Sequence, residues 1–265
     1  MKIFAAREGR GLNASSILQV VNVSHNYYTK KGVVLEVLKN LSLELFYGEF
    51  LGIVGQSGSG KTTLLKIMAG LIKPTSGKVL YKGKPINGPT PAISLVFQEP
   101  VLFPWLTVLD NVMLALKRIE NISKEEMKVK AQSFLDMVGL SGFENSYPGE
   151  LSGGMKQRVV LARALVTNPD VLLMDEPFSN LDPLTAVSLR REIDLLRQHE
   201  TLPPSSVLLV SHNVEEIVEL SDRVLVLTSR PAQIAGEVSI KMEKPRDRRS
   251  PQFYEYVDAI FTLMS

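Results

Sequence analysis

From residue 17 the chain runs in short apolar stretches that partly alternate with polar positions. Residues 17–23, 41–46 and 50–54 are rich in Val, Leu, Ile and Phe, which predicts three strands. Tyr47-Gly48-Glu49 turns the chain between the last two. A glycine-rich loop follows at 55–60, then a helix over 61–71 that Pro74 and Gly77 stop. Two more strands are predicted at 77–81 and 93–97. After Gln98 the apolar spacing becomes helical, at 107–118, 123–138 and 152–166. Ser123 and Glu126 form a capping box for the second of these. Residues 99–168 thus read as a mostly helical lobe. Strand–helix alternation then returns, with strands at 171–174, 207–210 and 223–227. The helices between them cover 183–199, with Pro at its start, and 213–220. Pro203-Pro204 breaks the chain before one of these strands. A last helix is expected at 251–263. Such alternation predicts an α/β core with a parallel sheet, whose ligands bind beyond the carboxyl ends of the strands.

Composition narrows the classes. The 265 residues are 45% hydrophobic and 22% charged, with formal net charge +2. That is enough for a sizeable core and gives no electrostatic reason to expect nucleic acid as a partner. The absence of cysteine excludes disulfides, thiolate metal sites and cysteine nucleophiles, and fits a cytosolic protein. Residues 1–16 mix Lys2, Arg7, Glu8 and Arg10 with glycine and read as a loose leader, not a signal peptide. No stretch approaches the roughly 20 apolar residues of a membrane-spanning helix; the longest, 159–166, is broken by Arg163.

Three motifs carry chemistry. Gly55-Gln56-Ser57-Gly58-Ser59-Gly60-Lys61-Thr62 fits G-x-x-x-x-G-K-[ST], with a buried strand before it and a helix after. Its glycines let successive N–H groups face phosphate oxygens, and the helix start adds partial positive charge. Lys61 is placed to reach the β- and γ-phosphates of a nucleotide, and Thr62 to hold Mg²⁺. Val171-Leu172-Leu173-Met174 ends in Asp175-Glu176. Asp175 suits Mg²⁺ through water, and Glu176, one residue beyond the strand, suits a general base. Leu151-Ser152-Gly153-Gly154-Met155-Lys156-Gln157-Arg158 opens the third lobe helix. A capped helix start is an anion site, but from the lobe it serves a nucleotide only on another copy.

In that order and placement the motifs resemble an ABC transporter ATPase over residues 17–230. The resemblance implies a P-loop ATPase core with an N-terminal antiparallel β region and an inserted helical subdomain at about 99–168. Residues 1–16 form a leader and 231–265 a short C-terminal extension. It also implies roles. Ser152, Gly153 and Gly154 belong to the signature motif, and Glu176 is the catalytic glutamate. Ser179-Asn180-Leu181-Asp182 resembles the D-loop, with Asn180 where a small residue is commoner, and Asp182 joins the nucleotide site. His212 matches the switch histidine, and Gln98 the glutamine that links Mg²⁺ and attacking water to the membrane partner. Tyr27 matches the aromatic that stacks on adenine, with Tyr28 as the alternative. Thr63 completes the phosphate loop.

Phe97-Gln98-Glu99-Pro100, Leu102-Phe103-Pro104-Trp105-Leu106-Thr107-Val108, Met155 and the tail with Ser229-Arg230-Pro231 and Pro245-Arg246-Asp247-Arg248 resemble one subgroup. It comprises the ATPases of bacterial nitrate, sulfonate and taurine importers. Trp105 reads either as an anchor of the helical lobe or as part of the surface that receives the permease, and the basic tail as a subgroup feature or a solvated end. Implied partners are a second copy or a paralogous ATPase, an integral membrane permease and, indirectly, a solute-binding protein. The place of action is the cytoplasmic face of the inner membrane. The sequence predicts ATP hydrolysis with ATP and Mg²⁺ in a head-to-tail dimer. An exporter or lipid-extraction ATPase, or an ABC ATPase outside transport, are the rival readings.

Overall fold

The computed structural model describes residues 15–28, 30, 32–117, 122–198, 204 and 206–265. Of the predicted leader, residues 1–14 lie outside these, as does the end of the helix predicted to reach 199. Two sheets carry the fold. A six-stranded sheet has the order β10-β9-β3-β8-β7-β6, formed by Phe50–Gly55 (β3), Ile93–Val96 (β6), Val171–Asp175 (β7), Ser206–Val210 (β8), Arg223–Leu227 (β9) and Ile234–Ser239 (β10). Pairing is parallel throughout except between β9 and β10. A smaller antiparallel sheet has the order β2-β1-β4-β5, from Ser16–Tyr28 (β1), Val34–Phe46 (β2), Ser76–Tyr81 (β4) and Lys84–Pro85 (β5).

Every residue of β3, β7, β8 and β9 is buried. Their continuous apolar runs follow from this, because a parallel sheet is covered on both faces. Period-2 alternation divides the side chains between two cores. Phe50, Val54, Leu172, Met174, Val207, Leu209, Val224 and Val226 face one core. Leu51, Ile53, Val171, Leu173, Leu208, Val210, Leu225 and Leu227 face the other. In the second core Leu64, Leu65, Ile67 and Met68 of the helix Lys61–Met68 (α1) fill the space between the two sheets. The first core is continuous with the helical region of Val108–Leu116 (α2), Lys124–Met137 (α3) and Gly153–Leu165 (α4). It also takes in Pro183–Gln198 (α5), Val214–Leu220 (α6) and Pro251–Met264 (α7).

The predicted helices and strands form, with some differences, among them the two-residue strand β5, which was not predicted. Strand β2 starts at Val34, not at 41, and β1 runs on to Tyr28. Left-handed Asn22 and Asn40, with φ of 48° and 45°, accompany register shifts in this pair, so the alternation breaks and its outer half does not read as strand. Strand β10 was not predicted; only Val238 in it is buried, which leaves little apolar signal. Helix α1 ends at Met68, because Gly70 adopts φ 72° just beyond it. The predicted capping box at Ser123 and Glu126 is present.

Candidate functional site

The carboxyl ends of β3, β7 and β8 share one edge of the parallel sheet. Val210 of β8 pairs with Ile53 of β3 on one side and with Asp175 of β7 on the other. The phosphate-loop strand, the acidic strand and the strand leading to His212 therefore deliver their loops side by side.

Gly55 closes β3 and the loop curls back at once, with the Ser59 N–H donating to Gln56 O at 3.2 Å. Gly60 stands at φ 115°, and a Cβ there would lie 2.8 Å from Val37 Cγ1, so both backbone and space require glycine. Lys61 is buried, and its Nζ donates to Gly55 O at 2.8 Å and to Gln56 O at 2.9 Å. Burial pulls its pKa down, opposed by Glu176 and Asp175. A buried ammonium whose partners include the loop's own carbonyls can turn its donors to a phosphate at small cost. Buried Ser59 has a hydroxyl without a protein partner in this loop, a further donor for an oxyanion.

Thr62 is exposed at the first turn of α1, and its side chain neighbours the buried Asp175 carboxylate. Burial pushes the Asp175 carboxyl up; Thr62 opposes this and Glu176 adds to it. One hydroxyl and one carboxylate suit a small hard cation that takes its other ligands from phosphate and water, the habit of Mg²⁺. Among the described residues there is no cluster of three or more His, Asp or Glu side chains that would form an all-protein cage.

Glu176 leaves the strand at φ 46°, a left-handed conformation rare for a long side chain and costing about 1 kcal/mol or more. Its N–H still donates to Val210 O at 2.9 Å, so the ladder continues while the side chain is re-aimed. The result is a 2.8 Å hydrogen bond between Glu176 Oε2 and His212 Nδ1. Gln98, exposed just after β6, joins the same loop: its Nε2 donates to Ser179 Oγ at 3.3 Å, and Ser179 Oγ donates to Glu176 O at 3.0 Å.

The two tyrosines part on strand geometry. Tyr27 and Tyr28 point to opposite faces of β1. The Tyr27 hydroxyl lies 3.4 Å from Thr63 Oγ1 on the phosphate-loop helix, and the ring meets His25 edge-on at 4.7 Å. Tyr28 is 69% exposed.

Ser152 caps α4, its Oγ accepting from the Met155 N–H at 3.3 Å. Gly154 abuts the start of α5: a Cβ there would lie 2.4 Å from Thr185 Cγ2. Gly153 faces Asn180 O at 3.9 Å from its ideal Cβ. Ser152–Gly154 and the 179–182 loop are thus one packed unit. Asp182 accepts from the Thr185 N–H at 3.0 Å, and the Thr185 hydrogen bonds hold its carboxyl below the usual range. In this structure its carboxylate serves its own helix start.

Trp105 does not anchor the helical region. It is 71% exposed, with Phe103 5.5 Å away, and the anchor is Asn111 instead. Fully buried, Asn111 accepts from the Phe103 N–H at 2.9 Å and donates to the carbonyls of Phe103, Leu106 and Thr107. Nor is the basic tail a solvated end. Arg246 is buried and donates to Val218 O and Ser221 O, both at 2.6 Å, and Arg248 pairs with Glu215 and Glu219. Sequence reasoning missed Asn111, whose partners are local, and named Ser179, Arg246 and Arg248 only as motif members, because Gln98 and the carbonyls of α6 lie far from them along the chain.

Residues 38–179 match the ABC transporter family. The nitrate import ATP-binding protein NrtD of Synechocystis sp. is 42% identical over 257 residues, spanning 93% of this chain and 94% of its own. The aliphatic sulfonates import ATP-binding protein SsuB of Bacillus cereus is 37% identical over 236 residues, 89% of this chain and 91% of its own. Among solved structures, a dimeric post-hydrolysis state of the ATP-binding cassette MJ0796 bound to ADP and Pi superposes with a TM-score of 0.75. It is 32% identical and covers 85% of this chain and 100% of its own. The chain belongs to the ABC transporter family and is one of its ATPases, a P-loop α/β cassette.

Proposed function

We propose that the chain powers a bacterial importer for a small solute of the nitrate, sulfonate or taurine type. It acts at the cytoplasmic face of the inner membrane through a separate permease fed by a solute-binding protein. The names of the two import relatives support the class of solute. Convergence of two pairs on one sheet edge, Thr62 with Asp175 and Glu176 with His212, carries the reading of the site.

In this reading residues 17–230 form the catalytic domain, with the helical subdomain at about 99–168. Tyr27 stacks on adenine. The backbone of Gly55, Gln56, Ser57, Gly58, Ser59 and Gly60 cradles the phosphates with Thr63, and Lys61 turns to the β- and γ-phosphates. Thr62, Gln98 and, through water, Asp175 would hold Mg²⁺, which when bound would offset the negative charge of the β- and γ-phosphates. Two copies, or this chain and a close paralogue, pack head-to-tail. Ser152, Gly153 and Gly154 of one copy face the γ-phosphate held by the other, with Asp182 at the same seam. Closure excludes water and strengthens the electrostatics inside. Glu176 accepts a proton from the attacking water, and His212 orients the γ-phosphate. ATP favours the closed pair and hydrolysis removes that preference, which the permease senses near Gln98 and Trp105.

The test is a pair of variants measured for nucleotide binding and turnover. Lys61→Ala should weaken ATP binding. Glu176→Gln should keep binding but lose turnover by about 100-fold or more. Normal turnover in Glu176→Gln would remove Glu176 from the role of base.

A further inference from the structure

His212 sits on a loop where one hydroxyl ties the following peptide to a carboxylate of α6. Ser211 Oγ accepts from the Asn213 N–H at 3.0 Å and donates to Glu216 Oε2 at 3.0 Å. Ser211 is 2% exposed, so this hydroxyl has no access to solvent water. The other oxygen of Glu216 meets Arg190 Nη1 of α5 at 3.2 Å. Arg190 is itself buried, its guanidinium lies over the Phe178 ring at 5.7 Å, and its Nε stands 2.9 Å from Glu219 Oε2. Phe178 belongs to the loop that carries Glu176 and Ser179. A continuous chain therefore runs from that loop through Phe178, Arg190, Glu216 and Ser211 to His212.

We propose that Glu216 is a positioning residue: with Arg190 it locks the His212 loop to the Glu176 loop and sets the distance between those two side chains. The proposal rests on the reading that Glu176 and His212 act in hydrolysis. The physical reason is burial. Parting Glu216 from Arg190 would leave a largely buried carboxylate without its cation in a low dielectric, so the two loops are held together. The C-terminal segment braces the same helix from outside: Arg248 pairs with Glu215 and Glu219, and Arg246 binds the carbonyls at the end of α6.

The experiment is a double-mutant cycle on steady-state ATP hydrolysis by the full chain, using Glu216→Gln, Ser211→Ala and His212→Ala. Glu216→Gln and Ser211→Ala are each expected to lower saturating turnover about tenfold while KM for ATP stays within about twofold. Added to His212→Ala, neither should lower turnover further, because each acts through that histidine. Normal turnover in both variants, or losses that multiply with His212→Ala, would overturn the proposal while leaving the role of His212 intact. Full activity in His212→Ala would instead remove the reading on which it rests. Should Glu216→Gln melt below the assay temperature, Ser211→Ala decides alone.

Discussion

Glu176 Oε2 and His212 Nδ1 lie 2.8 Å apart although 36 positions separate them in the chain. Strand pairing brings them together: Asp175 and Val210 are partners in adjacent parallel strands, and each of the two residues stands just past its strand end. The left-handed turn at Glu176 then swings its carboxylate across the edge toward His212. A histidine held this way is oriented by its carboxylate, and in the proposed function the two act as a unit on the attacking water and the γ-phosphate.

If so, their contributions to turnover are not additive. Glu176→Gln combined with His212→Ala should hydrolyse ATP no more slowly than Glu176→Gln alone, within about threefold. Single-turnover rates of the three variants check this. A double variant slower by the product of the two single losses would mean independent roles.

Asp175 gives a pH-dependent prediction on stability. Its carboxyl is raised above 3.8, chiefly by burial. Between the unfolded value and this higher folded value the native state binds more protons. Stability contributed by this group therefore falls as pH rises through that window. Asp175→Asn should melt a few degrees higher than the parent at neutral pH, an advantage that shrinks as pH falls toward about 4. It should also lose Mg²⁺-dependent turnover. Melting curves across pH without nucleotide are the check.

Asn111 and Trp105 should behave oppositely. Asn111→Ala leaves the Phe103 N–H and three carbonyls without that partner and should cost about 3 kcal/mol in urea unfolding. Trp105→Ala removes an exposed ring and should change stability by no more than about 0.5 kcal/mol.

The contact between Gly154 and Thr185 predicts a rescue. Gly154→Ala places a methyl into Thr185 Cγ2 and should destabilise by about 1–3 kcal/mol. Thr185→Ser removes that methyl and keeps the N–H bonded to Asp182, so adding it should recover about half of the loss. Equal stability of the single and double variants would show that the strain lies elsewhere.

The site was legible where its chemistry is contiguous in sequence. The phosphate loop, Asp175-Glu176 and the Ser152–Gly154 helix start are short strings whose flanking apolar runs already say strand or helix. The parallel core was legible for the same reason, since strands buried on both faces leave unbroken runs such as 171–174 and 207–210. What stayed hidden depends on tertiary neighbours. The sequence points to Tyr27 with Tyr28 as the alternative, and it cannot show that the Tyr27 hydroxyl lies beside Thr63 of the phosphate-loop helix. Arg246 reads as part of a solvated charge run until the carbonyls of α6 are seen around it. The outer half of β2 is masked by bulges at its partner strand, and β10 shows almost no apolar side to read. Trp105 reads as a lobe anchor or as partner-facing surface; it is exposed, and the anchoring is done by a buried polar residue, Asn111.

The central claim is that ATP closes two copies with Ser152, Gly153 and Gly154 acting in trans. The most direct test is the mass in solution of Glu176→Gln with and without MgATP. The account predicts a single chain without nucleotide, a species of twice that mass with MgATP, and loss of the larger species when Ser152→Arg is added. A mass that MgATP does not change, or a dimer that survives Ser152→Arg, would contradict it.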